Sequence, residues 1–446
     1  MRKFRIFVQD FMNSFRTILL GFLILILLGA FLLWLPVSSA EGVFTPFLNA
    51  LFTSASATCV TGLVVYDTAA YWSVFGKIVI LLLIQIGGLG VVTVTLATLA
   101  VTGKRIGLLQ RSTMQDAISA PQLGGIIHFM LFFVKGSLIV EGAGALALSP
   151  VFIRQYGFVQ GICYAVFHSV SAFCNAGFDL MGIHGQFSSL TAYSSNAYVN
   201  VVIMALIIIG GLGFMTWRDV LSNRRNLRGL RLQSKIIIVT TLILLAIPFV
   251  YFFFFEFSGY GLKERILYSA FQSVTPRTAG FNTFDYGRMS EGGLLLTIVL
   301  MLTGGAPGST AGGMKVTTLA VLLMTANAYM HRKDDVNCFK RRLDINSIHN
   351  ALVLIVVYLQ LMLLGAVVLS MVERLPIINT MFECASALGT VGLTTGITTG
   401  LAPVSRIILI GFMYFGRVGG FTLAYASVSG KKKSKTKFPE EKIAVG

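Results

Sequence analysis

The sequence predicts an all-α integral membrane protein built from four similar modules, and three observations support this. Of its 446 residues, 55% are hydrophobic and only 12% are charged, which is typical of a chain that lies mostly in lipid. A short glycine-containing element occurs four times along the chain. Each copy lies between two long apolar runs. We therefore expect four span–pore-helix–span modules, with eight transmembrane helices and four re-entrant pore loops around one pseudo-fourfold pore.

The repeated element starts with phenylalanine, continues through small and hydroxyl residues, and ends with glycine followed by leucine or phenylalanine. The four copies run from Phe52 to Leu63, from Phe167 to Phe178, from Phe271 to Phe281 and from Phe382 to Leu393. The third copy is one residue shorter than the others. A repeat period of about one hundred residues matches one membrane module and exceeds the roughly 20–50 residues of solenoid repeats.

Each module is predicted to contain a span, a half-span and a second span. The predicted segments are 17–35, 45–57 and 74–101 in module one (1–103); 126–148, 161–173 and 196–217 in module two (104–222); 236–255, 263–274 and 292–327 in module three (223–342); and 350–372, 377–388 and 405–428 in module four (343–430). The half-spans fall short of the about 20 residues that cross a bilayer. Irregular backbone at membrane depth needs protein or a watery cavity beside it, so we expect the four turns to face one axis.

The distribution of basic residues predicts the orientation. The net charge is +17, and most of the 35 lysines and arginines lie in the N-terminal segment, the loops between modules and the tail 431–446. Because basic residues concentrate on the cytoplasmic side, both termini are expected to be cytoplasmic and the pore loops to enter from outside. Part of this basic face is expected to contact anionic membrane lipids.

The glycine turns are predicted to form a cation filter. Glycine permits the backbone angles that point successive carbonyls the same way, and rings of carbonyls replace the hydration shell of potassium in channels. The expected ion-binding residues are Val60, Thr61, Gly62, Asn175, Ala176, Gly177, Thr278, Ala279, Gly280, Thr390, Val391 and Gly392. Only the fourth copy spells Thr-Val-Gly, which predicts a less regular filter and weaker discrimination against sodium. The alternative is four ordinary glycine turns between helices.

A gate is predicted in module three. As one helix, 292–327 would be roughly 55 Å long and would overshoot the membrane, so it must break. The break is expected within 304–313, which holds five glycines and a proline. The expected gate residues are Gly304, Gly305, Gly308, Ser309, Thr310, Gly312, Gly313 and, from the last span, Arg417. An arginine at membrane depth must face a cavity or find partners. The alternative is a structural kink.

Other functions fit the sequence less well. The five cysteines show no metal-binding spacing, and the five histidines are scattered, so neither a zinc site nor an intramembrane enzyme is expected; potassium at the filter carbonyls is the one expected metal. Nucleic acid is not an expected partner. A transporter made of two inverted halves would not explain four repeats. Asp67, Asp179 and Asp285 follow their filter glycines and either concentrate cations or are solvated loop carboxylates.

Two runs resemble a known family. Thr275-Pro-Arg-Thr-Ala-Gly280-Phe and Gly304-Gly-Ala-Pro-Gly-Ser-Thr-Ala-Gly-Gly313 are similar to signatures of the Trk/Ktr/HKT superfamily of potassium transporters, especially the ion-translocating membrane subunits of bacterial Ktr systems (KtrB type). The resemblance implies potassium uptake at the bacterial plasma membrane, one pore per chain, a homodimer and a cytoplasmic nucleotide-binding regulatory ring (KtrA-like). The alternative is a sodium- or proton-coupled cation symporter of the same architecture. No covalently bound cofactor is expected; K⁺ is the transported ion, Na⁺ a candidate activator, and nucleotide belongs on the partner.

Overall fold

The computed structural model describes residues 14–94, 126–223 and 227–420, with the single positions 96, 113, 115, 422 and 441. The basic N-terminal segment, most of the first loop between modules and the basic tail 431–446 lie outside the described residues. The described helices are α1 (Ser14–Trp34), α2 (Phe47–Thr58), α3 (Thr68–Tyr71), α4 (Val74–Leu89), α5 (Ile126–Tyr156), α6 (Phe158–Phe173), α7 (Ala197–Gly211), α8 (Phe214–Ser222), α9 (Leu232–Tyr251), α10 (Leu262–Val274), α11 (Glu291–Leu302), α12 (Val316–Met330), α13 (Ile345–Glu373), α14 (Ile377–Gly389) and α15 (Pro403–Val418).

The remaining regular structure is minor. A π-helical turn, Phe252–Glu256, extends α9, and strands β1 (Asn337–Cys338) and β2 (Arg341–Arg342) form a small antiparallel hairpin between α12 and α13. In this hairpin Asn337 pairs with Arg342 and Cys338 pairs with Arg341. Single 3₁₀ turns occur at Pro36–Ser38, Met181–His184, Thr191–Tyr193, Leu227–Gly229, Tyr286–Arg288 and Thr398–Gly400.

The same order of helices occurs four times. A long helix (α1, α5, α9 and α13) precedes a short helix (α2, α6, α10 and α14), a glycine turn and a second apolar helix (α4, α7, α11 and α15). Among the described residues, the four long helices have the length and composition to cross a membrane, and the bent pair α7 and α8 makes a fifth candidate. The chain is therefore a multi-pass membrane protein in which the second helices are too short to span alone.

The second helices break in every module, whereas the sequence predicted a break in module three alone. Residues Gly90, Gly213 and Gly419 stand at these breaks with φ of 88°, 81° and 90°. Positive φ is accessible to glycine at little cost, and it prevents the helix from continuing. The axes of α7 and α8 differ by 94° across Gly213. Module three has the predicted break as well, and there a whole segment, 303–315, separates α11 from α12.

The breaks lie beneath the glycine turns because the second helices pack closely against the short helices. A Cβ atom added to Gly87, Gly210 or Gly416 would come closer than 3.0 Å to the carbonyl oxygen of Thr58, Phe173 or Leu388, each near the C-terminus of a short helix. Small residues at helix interfaces permit this close approach in membrane proteins.

The phenylalanines that open the repeated elements hold the short helices in the interior. Phe52, Phe271 and Phe382 are fully buried, and Phe167 is 3% exposed. The core around modules one and two includes Phe167 and Phe271, and a second core that joins modules one, three and four includes Phe52 and Phe382. Each short helix is thus anchored in a core by a phenylalanine in its second or third turn.

Replacing Gly87 by alanine tests the close packing. We expect Gly87→Ala to lower the midpoint of thermal unfolding in detergent by several degrees, because the added methyl group meets backbone atoms that cannot rotate away, and such overpacking costs about 1–3 kcal/mol. Gly411→Ala in α15 is the matched control, since no atom lies within 4 Å of its added Cβ. Equal midpoints for the two variants would contradict this packing.

Candidate cation site

The four glycine turns meet in a closed ring. A Cβ atom added to the glycine of any one turn would come closer than 3.0 Å to a carbonyl oxygen of the next turn. The pairs are Gly62 with Ala176, Gly177 with Ala279, Gly280 with Val391, and Gly392 with Thr61. The order of neighbours is therefore one, two, three, four and back to one. Eight of the twelve residues in the sequence-predicted ion-binding set make these contacts, and the other four, Val60, Asn175, Thr278 and Thr390, come directly before them in the chain.

The backbone dihedral φ alternates in sign along each turn. Two residues before each glycine, Val60, Asn175, Thr278 and Thr390 have φ of 58°, 58°, 70° and 50°, and the glycines have φ of 93°, 68°, 82° and 92°. The residue between them has ordinary negative φ. Alternation of this kind directs successive carbonyls to one side of the chain. A non-glycine residue at positive φ costs about 1–3 kcal/mol and is characteristic of functional sites.

Hydroxyl groups at the ends of the short helices hold the turns. The Ser56 and Ser386 hydroxyls accept hydrogen bonds from the Gly62 and Gly392 backbone N–H groups, each at 3.0 Å. In modules two and three the hydroxyl donates instead, from Ser171 to the Phe178 carbonyl at 2.6 Å and from Thr275 to the Phe281 carbonyl. Sequence reasoning missed these residues. The signal that could have found them is a hydroxyl residue at one place in all four copies.

In modules two, three and four, a second repeated position ties the short helix to the segment that follows the turn. This position comes directly after the opening phenylalanine. In module two, His168 Nε2 accepts a hydrogen bond from Leu180 N at 3.2 Å, so its Nδ1 donates to the Tyr164 carbonyl. In module four, Glu383 accepts hydrogen bonds from the Thr394 and Thr398 hydroxyls. In module three, Gln272 accepts one from the Tyr286 hydroxyl. These side chains were also missed.

The segment 303–315, which we call the inner loop, lies directly below the ring. Its ends are joined, since Gly304 N donates to the Met314 carbonyl at 2.7 Å. On one side, Ala306 N donates to the Gly211 carbonyl at 2.9 Å, and the Thr310 hydroxyl donates to the Phe173 carbonyl at 3.0 Å. On the other side, Gly312 packs against the Thr390 side chain. The inner loop therefore bridges modules two and four beneath the turns.

Arg417 joins the inner loop to module one. Its guanidinium donates to the Thr310 carbonyl and to the carbonyls of Gly87 and Gly88, the last at 2.8 Å. Charge-assisted bonds to several carbonyls stabilise an arginine at membrane depth without an acidic partner. A cavity of about 260 Å³ lies on this side of the inner loop, and its lining includes Ser309, Lys315, Arg417 and the hydroxyl-bearing Thr93 and Thr422.

The three outer carboxylates are used within turns. Asp67 caps α3 and also accepts a hydrogen bond from Phe187 N at 2.8 Å. Asp285 accepts one from Gly287 N and pairs with Arg288 at 3.5 Å. Asp179 accepts one from Met181 N. This carboxyl lies in the loop after the second glycine turn, and its burial there raises its pKa to about 7. These contacts favour a structural role for all three carboxylates over a role in concentrating cations.

Comparison with known proteins shows that the chain is similar to cation transport proteins. The TrkH family, described as cation transport proteins, matches residues 7–435. The potassium/sodium uptake protein NtpJ of Enterococcus hirae is 41% identical, with 98% of each chain covered. The Ktr system potassium uptake protein B of Bacillus subtilis is 38% identical, covering 97% of this chain and 96% of its own.

A solved structure shares the fold. The potassium transporter TrkH from Vibrio parahaemolyticus is similar with a TM-score of 0.72 and 19% sequence identity, over 94% of this chain and 85% of that one. Similarity at this level of identity concerns the arrangement of helices alone.

Removing one of the supporting hydroxyls tests the hold on the ring. We expect Ser386→Ala to lower the midpoint of thermal unfolding by a few degrees, because the buried Gly392 N–H loses its acceptor, at a cost of about 1–3 kcal/mol. Ser405→Ala is the matched control, since this buried hydroxyl has no hydrogen-bond partner in the described part of the chain. A midpoint for Ser386→Ala equal to that of Ser405→Ala would show that the hydroxyl does not support the turn.

Proposed function

This chain belongs to the TrkH family of cation transport proteins, and from that membership we propose that it takes up potassium across the bacterial plasma membrane through the ring of glycine turns. The observation that carries the proposal is the closed order of contacts around the ring, in which the glycine of each turn lies against a carbonyl of the next. Four inward-facing turns give carbonyl oxygens to one central axis, and such oxygens substitute for the water around a dehydrating cation. Of two relatives, one is named a potassium/sodium uptake protein and the other a potassium uptake protein.

In this proposal the twelve ring residues form the selectivity filter. The short helices α2, α6, α10 and α14 point their C-terminal ends toward it, so that their partial negative charge favours a cation. The long and the second helices make up the eight spans, with the second spans broken below the filter. Only Thr390-Val391-Gly392 has the Thr-Val-Gly sequence, so the carbonyl oxygens of the four turns are not equivalent. We therefore expect a moderate preference for potassium over sodium.

The inner loop with Arg417 is the proposed gate. Three observations support this: the loop lies beneath Thr390, its two ends are bonded to each other, and Arg417 adds a fixed positive charge on the same path. A loop whose ends are already joined can move aside without pulling α11 and α12 apart. Its carbonyls are held mainly by single hydrogen bonds, so small rearrangements release it.

The proposed assembly is a homodimer with a cytoplasmic, nucleotide-binding regulatory ring, and both termini lie in the cytoplasm. Support comes from the Ktr system named for several relatives and from the basic residues on one side of the chain. Within the described residues this basic side includes Arg231, Lys235, Lys333, Lys340 and Arg341. Nucleotide would bind to the ring, K⁺ would bind transiently to the filter of this chain, and Na⁺ is the candidate activator.

A serine in the filter tests the proposed function. We expect Gly392→Ser to reduce the preference for potassium over sodium several-fold, because the added side chain displaces the Thr61 carbonyl. The measurement is the reversal potential of purified protein in liposomes under opposed potassium and sodium gradients. Gly396→Ser is a close control: its φ is 95° against 92° for Gly392, and no atom lies within 4 Å of its added Cβ. If both variants keep the wild-type reversal potential, the filter lies elsewhere.

Shortening the inner loop tests the gate. We expect deletion of residues 306–312 to raise potassium flux through the isolated subunit by about tenfold or more, with no change in reversal potential, because the obstruction is removed and every residue of the filter is kept. The bond between Gly304 and Met314 leaves a short gap for the chain to close. Thermal unfolding serves as the control for correct folding. A folded deletion variant with wild-type or lower flux would remove the loop from the gate.

A further inference from the structure

Lys315 is a charged residue to which the proposed filter and gate assign no role. It stands at the junction of the inner loop and α12, half-buried, and it lines the cavity of about 260 Å³. Its Nζ donates to the carbonyl of Ala311 at 2.8 Å and to the carbonyl of Gly312 at 3.3 Å. Within the described part of the chain, neither Lys315 nor Arg417 forms an ion pair.

Helix stability does not explain a lysine at this position. Lys315 is the N-cap residue of α12, and its side chain makes no capping hydrogen bond. Caps favour serine, threonine, aspartate or asparagine, and the partial positive charge of a helix N-terminus disfavours a cation. The ammonium group is instead turned back onto the preceding loop. What stabilises it there is the pair of carbonyl oxygens.

Those oxygens belong to a run of three consecutive residues, 310–312, and each of the three carbonyls accepts a hydrogen bond from a positively charged side chain. The Thr310 carbonyl accepts from Arg417, and the next two carbonyls, of Ala311 and Gly312, accept from Lys315. Gly312 packs directly beneath Thr390 of the ring. The run therefore lies between a ring residue and the cavity, whose lining includes Ala311. Carbonyl oxygens in a row are the ligands that potassium uses, and a lysine ammonium is a compact monovalent cation that binds the same groups.

We propose that the carbonyls of Ala311 and Gly312 form a second cation site below the filter, which the ammonium group of Lys315 occupies when the inner loop is closed. Lys315 is then a tethered competitor of the transported ion. When the loop opens, the side chain leaves for the cavity that it already lines, and potassium takes its place on the oxygens. This inference rests on the proposed function, because it requires a cation path through the ring.

Two variants separate the charge of Lys315 from its bulk. Lys315→Met keeps a long stem and removes the charge, whereas Lys315→Ala removes both and leaves space for a small amine. We expect both to raise potassium flux through the full-length chain in liposomes about tenfold, since charge-assisted hydrogen bonds that hold the closed loop are lost. Lys263→Ala, at an exposed position in the first turn of α10, is the matched control and should leave flux at the wild-type level.

Rescue by an added amine is the decisive measurement. Ethylammonium at millimolar concentration should return the flux of Lys315→Ala toward the wild-type value, because it supplies the missing ammonium group. It should have little effect on wild type, whose site is filled, or on Lys315→Met, whose stem blocks entry. Choline at the same concentration is too large for the site and should not rescue.

The outcomes are distinct. Wild-type flux in both Lys315 variants, in folded protein, would overturn the proposal. So would a raised flux in Lys315→Ala that ethylammonium does not lower, since that result would indicate mere loosening of the loop. A wild-type protein that carries no potassium would overturn the proposed function and this inference with it, whereas a conducting wild type with unaffected Lys315 variants would overturn the inference alone.

Discussion

The contact on which the rest of the structure depends is the close approach between each turn glycine and a carbonyl oxygen of the neighbouring module. No side chain fits between them, so the positions of four backbone segments fix one another. The short helices, the buried phenylalanines and the supporting hydroxyls all serve to bring these segments to that distance. A change at any one of them is transmitted to the ring because the glycine and carbonyl atoms of neighbouring turns are already in contact. Modules that differ in sequence are therefore equivalent in backbone.

Much of this architecture could be predicted from the sequence, since its strongest signals are local. The short helices begin and end within one turn of the predicted half-spans because glycine and proline bound their apolar runs. The break in module three was also predictable, from five glycines and a proline within ten residues. The breaks at Gly90, Gly213 and Gly419 were not, because a glycine within an apolar run indicates close packing as readily as positive φ. In these helices one glycine packs closely against a short helix, and a nearby glycine adopts the positive φ.

Contacts that form only in the folded chain account for the rest. The role of the Ser386 hydroxyl depends on the fold of a turn six residues later, and the carbonyl partners of Arg417 lie in modules one and three. Glu141 could not be assigned from its own helix, since the group that satisfies it is the Gln85 amide of module one, 3.0 Å from both carboxylate oxygens. The partners of Arg417 and Glu141 lie in other modules, at separations along the chain that residue patterns do not encode.

The cyclic order of the ring has a consequence for biosynthesis. The last contact of the ring joins Gly392 to Thr61, and bonds from Arg406 to Asn49, at 2.6 Å, and from Tyr414 to Leu19, at 2.8 Å, also join the last module to the first. During translation the first three turns enter the membrane with one side of the ring open. The axis is enclosed only after the ribosome has delivered module four. A chain interrupted before that point lacks both contacts that module four contributes, of Gly280 with Val391 and of Gly392 with Thr61, so its ring stays open on one side.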